Sequence, residues 1–214
     1  MTDETLDAIA SEISTCTLCA LHQGRTQTVP GQGSDQGSIM FIGEAPGKSE
    51  DEQGVPFVGR SGQYLNYLLN LINLDRSSVF ITNVVKCRPP GNRDPEQGEI
   101  AACKTYLDRQ VALIDPEVIV LVGRFAMARY FPASAKISKI HGEPKFMDNR
   151  AFYPIYHPAA ALRNPGLRRD MEADFKRLLD VIEEVKQRRA SDNFEAPLED
   201  TPNDEEPPEQ LTLL

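Results

Sequence analysis

Ser38-Ile-Met-Phe-Ile42 runs straight into Gly43-Glu-Ala-Pro-Gly47. The first stretch is short and almost continuously apolar, the pattern of a strand buried on both faces. The second holds two glycines and a proline, which let the backbone turn sharply and approach a ligand closely. Alone, it equally makes an ordinary strand-to-helix turn. Runs 79–84 and 117–122 share the character of the first, and 152–156 is a fourth short apolar run. Helical periodicity separates them. Residues 61–74 put Tyr64, Leu65, Leu68, Leu69 and Ile72 on one face. Residues 95–114 follow Asp94-Pro95, a cap and a first-turn proline. Residues 123–131 form a shorter helix, and 167–188 a long charged one. This alternation predicts a three-layer α/β/α sandwich with a central, mostly parallel four-stranded sheet. Ligands of such sheets bind beyond the carboxyl ends of the strands. Residues 1–15 read as a short helix carrying Leu6, Ile9 and Ile13, and 24–37 as loop.

The chain has 214 residues, 40% of them hydrophobic, enough for one domain over 1–189 with a full core. No run approaches the ~18 apolar residues that cross a bilayer. The acidic start, Met1-Thr-Asp-Glu-Thr5, lacks the basic and apolar parts of a signal peptide. A cytoplasmic, monomeric protein without membrane contact is expected. The net charge of −9 speaks against nucleic acid, but eight acidic and no basic residues lie in 192–214, and setting them aside leaves −1. A body that is nearly neutral can carry a basic face. Residues 190–214 read as a disordered acidic tail, ending in the apolar Gln210-Leu-Thr-Leu-Leu214.

The residues at strand ends are the candidate site. Phe57, among small residues in Gly54-Val-Pro-Phe-Val-Gly-Arg-Ser-Gly62, either stacks on a planar base or plugs its loop onto the core. Asn83 closes the second run; its amide matches the O4 acceptor and N3–H donor of uracil, or it caps a turn. His157, stiffened by Pro158 at the end of the fourth run, either donates to a developing negative charge or simply packs. Arg163, Arg168 and Arg169 can hold phosphates, or are solvated.

Four cysteines, Cys16, Cys19, Cys87 and Cys103, are spaced C-x2-C, a long gap, then C-x15-C. Four thiolates suit a structural zinc or an iron–sulfur cluster, and spacing alone does not separate the two.

Taken together, Gly43-Glu-Ala-Pro-Gly47, Pro56-Phe-Val-Gly-Arg-Ser-Gly62, Thr82-Asn-Val-Val-Lys-Cys-Arg-Pro-Pro-Gly-Asn-Arg93 and His157-Pro-Ala-Ala-Ala-Leu-Arg-Asn-Pro165 resemble the family-4 uracil-DNA glycosylases, over about residues 10–185. The resemblance implies a structural [4Fe-4S] cluster on the four cysteines. It implies that Gly43 and Phe57 contact the flipped uracil, that Asn83 reads its edge and that His157 stabilises the leaving anion. Glu44 lies where the family's catalytic loop meets the sugar and the attacking water; family-1 enzymes carry an aspartate in this loop where this chain has Ala45, so activation of the water falls to Glu44 or to backbone groups. Glu50 and Asn92 would support that loop, and Arg60, Ser61, Arg88, Arg93 and Arg163 would meet DNA. A related branch traps DNA through a histidine in an inserted loop. Here Asn92-Arg-Asp-Pro95 carries no insertion, so hydrolysis without a stable adduct is expected. The segment Gln210, Leu211, Leu213 and Leu214 resembles the pentapeptide with which bacterial DNA enzymes bind the sliding clamp. The rival readings are a non-catalytic metal-bearing nucleic-acid module and a nucleotide hydrolase; for the second, the glycine-rich loop lacks the lysine and hydroxyl of a phosphate-binding motif.

Overall fold

The computed structural model describes residues 4–191. The clamp-like motif and all of the expected tail beyond Ser191 lie outside the described residues. The elements run α1 (Leu6–Thr15), β1 (Gln32–Gly33), β2 (Ile39–Gly43), α2 (Lys48–Gln53), α3 (Arg60–Leu71), β3 (Phe80–Asn83), α4 (Gln97–Ile114), β4 (Val118–Val122), α5 (Arg124–Met127), α6 (Ile137–Ile140), β5 (Lys145–Met147), β6 (Arg150–Ile155), α7 (Pro158–Arg163) and α8 (Leu167–Ala190). The last helix runs through Ala190, just past the boundary expected for the folded domain.

The sheet has six strands, not four, in the order β1-β3-β2-β4-β6-β5. The four apolar runs are its parallel centre. Two short antiparallel strands were missed at the edges. β1 lies in the stretch read as loop. It has no apolar alternation because it adds only backbone pairing to β3, and Gly33 permits this: a Cβ there would stand 1.8 Å from the Val79 carbonyl oxygen. β5 joins β6 through Asp148 and Asn149, with φ of 51° and 59°. Two residues of positive φ make the tight hairpin turn that suits the twist of paired strands.

Alternation along the central strands divides the core in two. Phe41, Val118, Val120, Val122, Tyr153 and Ile155 face α3 and α8. Met40, Ile42, Ile119, Leu121 and Phe152 face the α1 and α4 side. Both faces are buried, which explains the absence of a polar alternate in β2 and β4. Helix α4 begins two residues later than the Asp94-Pro95 reading. Glu96 and Glu99 form a reciprocal capping box there, while the Asp94 carboxylate pairs with Arg124. No helix among the described residues is long and apolar enough to cross a membrane.

Candidate active site

Because the four central strands are parallel, their carboxyl ends share one edge. There β2 ends at Gly43, β3 at Asn83, and the chain leaving β6 reaches His157. Gly43, Asn83 and Phe57 crowd one spot: a Cβ on Gly43 would lie 2.4 Å from Asn83 Oδ1 and 2.6 Å from Phe57 Cζ. The Phe57 and His157 rings stand 5.8 Å apart. Asn83 is 2% exposed, and its Oδ1 is buried without a hydrogen-bond partner. A buried acceptor left without a donor costs about 1–3 kcal/mol.

Phe57 is itself buried, at φ 50° in the left-handed region. A bulky residue there costs about 1 kcal/mol or more and persists only when its surroundings hold it. Glu50 Oε1 accepts from the amides of Val58 (3.0 Å) and Gly59 (2.9 Å). Arg76, which the sequence reading passed over, donates to the carbonyls of Pro56 and Phe57.

His157 caps α7, its Nδ1 accepting from the Ala159 amide at 3.2 Å. An accepting Nδ1 places the ring proton on Nε2. Burial, reinforced by the Arg163 cation, pushes the His157 pKa down to about 4, against a smaller opposing effect of Glu50. The ring is therefore neutral at pH 7, with Nε2–H as donor. Glu44, just past Gly43, is half-buried. Burial, together with Asp94, raises its carboxyl above the ordinary value, while Arg124 and Arg163 oppose this. The Asp94–Arg124 pair is thus a part of the site's electrostatics that the sequence did not disclose.

Arg60 and Ser61 open α3, and Arg60 and Arg163 are exposed. Arg88 Nε donates to Asn92 Oδ1 at 2.7 Å, so Asn92 is engaged with Arg88. Arg93 is clasped by the Glu99 carboxylate through two bonds of 2.9 and 2.6 Å.

Cys16, Cys19, Cys87 and Cys103 line one pocket with Arg25, Lys86 and Tyr106. Arg25 Nη1 donates to Cys87 Sγ at 3.3 Å and to the Cys16 carbonyl at 2.7 Å. Among the described residues, no three Cys, His, Asp or Glu side chains gather closely enough for a single metal ion. Burial pushes the Cys103 thiol up to about 11. Lys86 is 1% exposed, and its ammonium donates only to neutral oxygens: Thr82 Oγ1 (2.6 Å), the Asn83 carbonyl (2.8 Å) and Gln110 Oε1 (2.7 Å). Its pKa falls to about 7 through burial, and the group that favours its charged form is Cys103.

Residues 30–182 match the model of the uracil DNA glycosylase superfamily. The chain is 46% identical over 187 residues to a type-4 uracil-DNA glycosylase of Sulfurisphaera tokodaii, covering 83% of this chain and 85% of that one. It is 45% identical to a type-4 enzyme of Archaeoglobus fulgidus (82% and 92% covered) and 40% identical to one of Thermotoga maritima (84% and 96% covered). The chain belongs to the type-4 uracil-DNA glycosylases. It is a DNA base-excision-repair glycosylase, a hydrolase acting on DNA. The four resembling motifs supply the strand-end residues that this glycosylase gathers at one edge of its sheet.

Proposed function

We propose that this glycosylase takes uracil, rotated out of DNA, into the space between Gly43, Phe57, Asn83 and His157, and hydrolyses its N-glycosidic bond. The buried, unpartnered Oδ1 of Asn83 carries this reading. The N3–H of uracil supplies the missing donor, and the amide nitrogen of Asn83 donates to O4. Cytosine presents the opposite polarity at both positions, so it leaves the buried amide with clashing partners. The Phe57 ring supplies a face for stacking.

As the bond breaks, negative charge develops on the base. The Nε2–H of a neutral His157 donates to it, a preorganised contact realised most fully in the transition state. Glu44, beside Ala45, orients or deprotonates the attacking water, and the product is an abasic site. Glu50 supports the Phe57 loop through the two amides it accepts. Arg60, Ser61, Arg88 and Arg163 meet the DNA backbone. Arg93, whose guanidinium is bonded to Glu99, meets it from its own loop.

The four-cysteine pocket fits a [4Fe-4S] cluster. Its donors are four thiols around one pocket, a set that an iron–sulfur cluster takes. A tetrathiolate cluster is also net negative, and this pocket holds Arg25 and the otherwise uncompensated Lys86. When bound, the cluster supplies a structural tether between the N-terminal segment and the chain between β3 and α4. Gln210, Leu211, Leu213 and Leu214 would add a tether to the sliding clamp.

Replacing His157 by alanine tests the catalytic assignment. Single-turnover excision should fall about tenfold or more with the fold retained; an unchanged rate removes His157 from the chemistry.

A further inference from the structure

The loop that presents Phe57 is gripped from two sides. Two successive amides, of Val58 and Gly59, point at the Glu50 carboxylate. Two successive carbonyls, of Pro56 and Phe57, point at the guanidinium of Arg76. The same Arg76 nitrogen that bonds the Phe57 oxygen at 3.2 Å also bonds Asn66 Oδ1 of α3 at 3.2 Å. Gly62 completes the seat, since a Cβ there would stand 1.8 Å from the Phe57 carbonyl oxygen. Arg76 opens a short 3-10 turn, Arg76–Ser78, that leads into β3, and β3 ends at Asn83.

We propose that Arg76 is a positioning residue of the base pocket: it fixes the left-handed setting of Phe57 and ties that ring to the strand carrying Asn83. The inference rests on the uracil reading of the pocket. A planar, forked cation suits the task because it satisfies two carbonyls and an amide oxygen in fixed directions. The ammonium of a lysine supplies the charge without the fork. Arg76 touches no part of the base; it governs how well the stacking ring and the reading amide face the same ligand.

The test is Arg76→Met, with Arg76→Lys beside it. Three quantities are measured: inhibition by free uracil, single-turnover excision, and affinity for uracil-free duplex. In R76M the inhibition constant for uracil and the excision rate should each worsen by ~10–100-fold, the scale of a displacement near 1 Å at a reacting centre. Affinity for uracil-free duplex should hold within about twofold, because phosphate contacts are not involved. R76K should fall between. A general loss of structure would weaken all three together. Where R76M does not fold, R76K and Asn66→Ala, which removes a partner of the guanidinium, should show the same split at smaller size. A folded R76M with wild-type uracil inhibition and rate overturns the inference, as do R76K and N66A both without effect. A wild-type chain that releases no uracil overturns the glycosylase reading and this inference with it; an active wild type indistinguishable from R76M overturns the inference alone.

Discussion

Replacing Asn83 by alanine should separate recognition from stability. Among the described residues no group donates to the buried Asn83 Oδ1. With uracil in place, the amide pairs both N3–H and O4. Truncation leaves those two polar groups enclosed without partners, at about 1–3 kcal/mol each. The combined ~2–6 kcal/mol lowers kcat/KM by ~30-fold to ~25,000-fold. Stability should move far less. Removing an unsatisfied oxygen returns about 1–3 kcal/mol, while the void left by a small side chain takes back a similar amount. The assay pairs single-turnover excision of a uracil-containing oligonucleotide with thermal denaturation of the same preparation. N83A that excises at the wild-type rate refutes the reasoning. So does an excision loss matched by an equal loss of stability, because Asn83 would then be a structural residue.

Four further outcomes are expected. If Glu44 works as a carboxylate, activity falls as pH drops through its raised pKa; Glu44→Gln should lose that acid limb, and a wild-type limb persisting in E44Q excludes the role. His157 adds no break near 6.5, since the folded ring stays neutral down to about 4; the unfolded chain binds that proton first, so stability should decline from pH 6.5 toward 4, and His157→Ala should flatten the decline in Tm. Purified protein should be brown, absorb broadly near ~400 nm and contain iron, and Cys87→Ala should lose colour and stability together; a colourless, zinc-loaded, fully active protein contradicts the cluster. Deleting residues 209–214 should abolish capture by the sliding clamp and spare excision from short oligonucleotides, and undiminished capture dismisses the clamp tether.

The parallel centre of the sheet was legible because β2 and β4 bury both faces, and continuous apolar runs have few other uses. The edge strands were not. β1 pairs through backbone at Gln32 and Gly33, which leaves no mark in side-chain pattern. β5 was announced only by Asp148-Asn149, a turn signal between two short runs. The start of α4 was misjudged because Asp94 resembles a cap, while its carboxylate is drawn to Arg124 and the cap falls to Glu96. Within the site, Gly43, Asn83 and His157 were visible as polar or glycine residues closing apolar runs. Arg76, Arg25 and Lys86 were invisible, since each acts on partners distant in sequence or buried by tertiary packing. A lone arginine in a sequence does not reveal which carbonyls it will hold.

Release of free base measures the uracil chemistry most directly. Wild-type protein, incubated with a duplex bearing a single uracil, should liberate free uracil and leave one alkali-labile site per strand, while the same duplex bearing cytosine at that position stays intact. Tight binding to the uracil duplex without any released base, or equal release from the cytosine duplex, would contradict it.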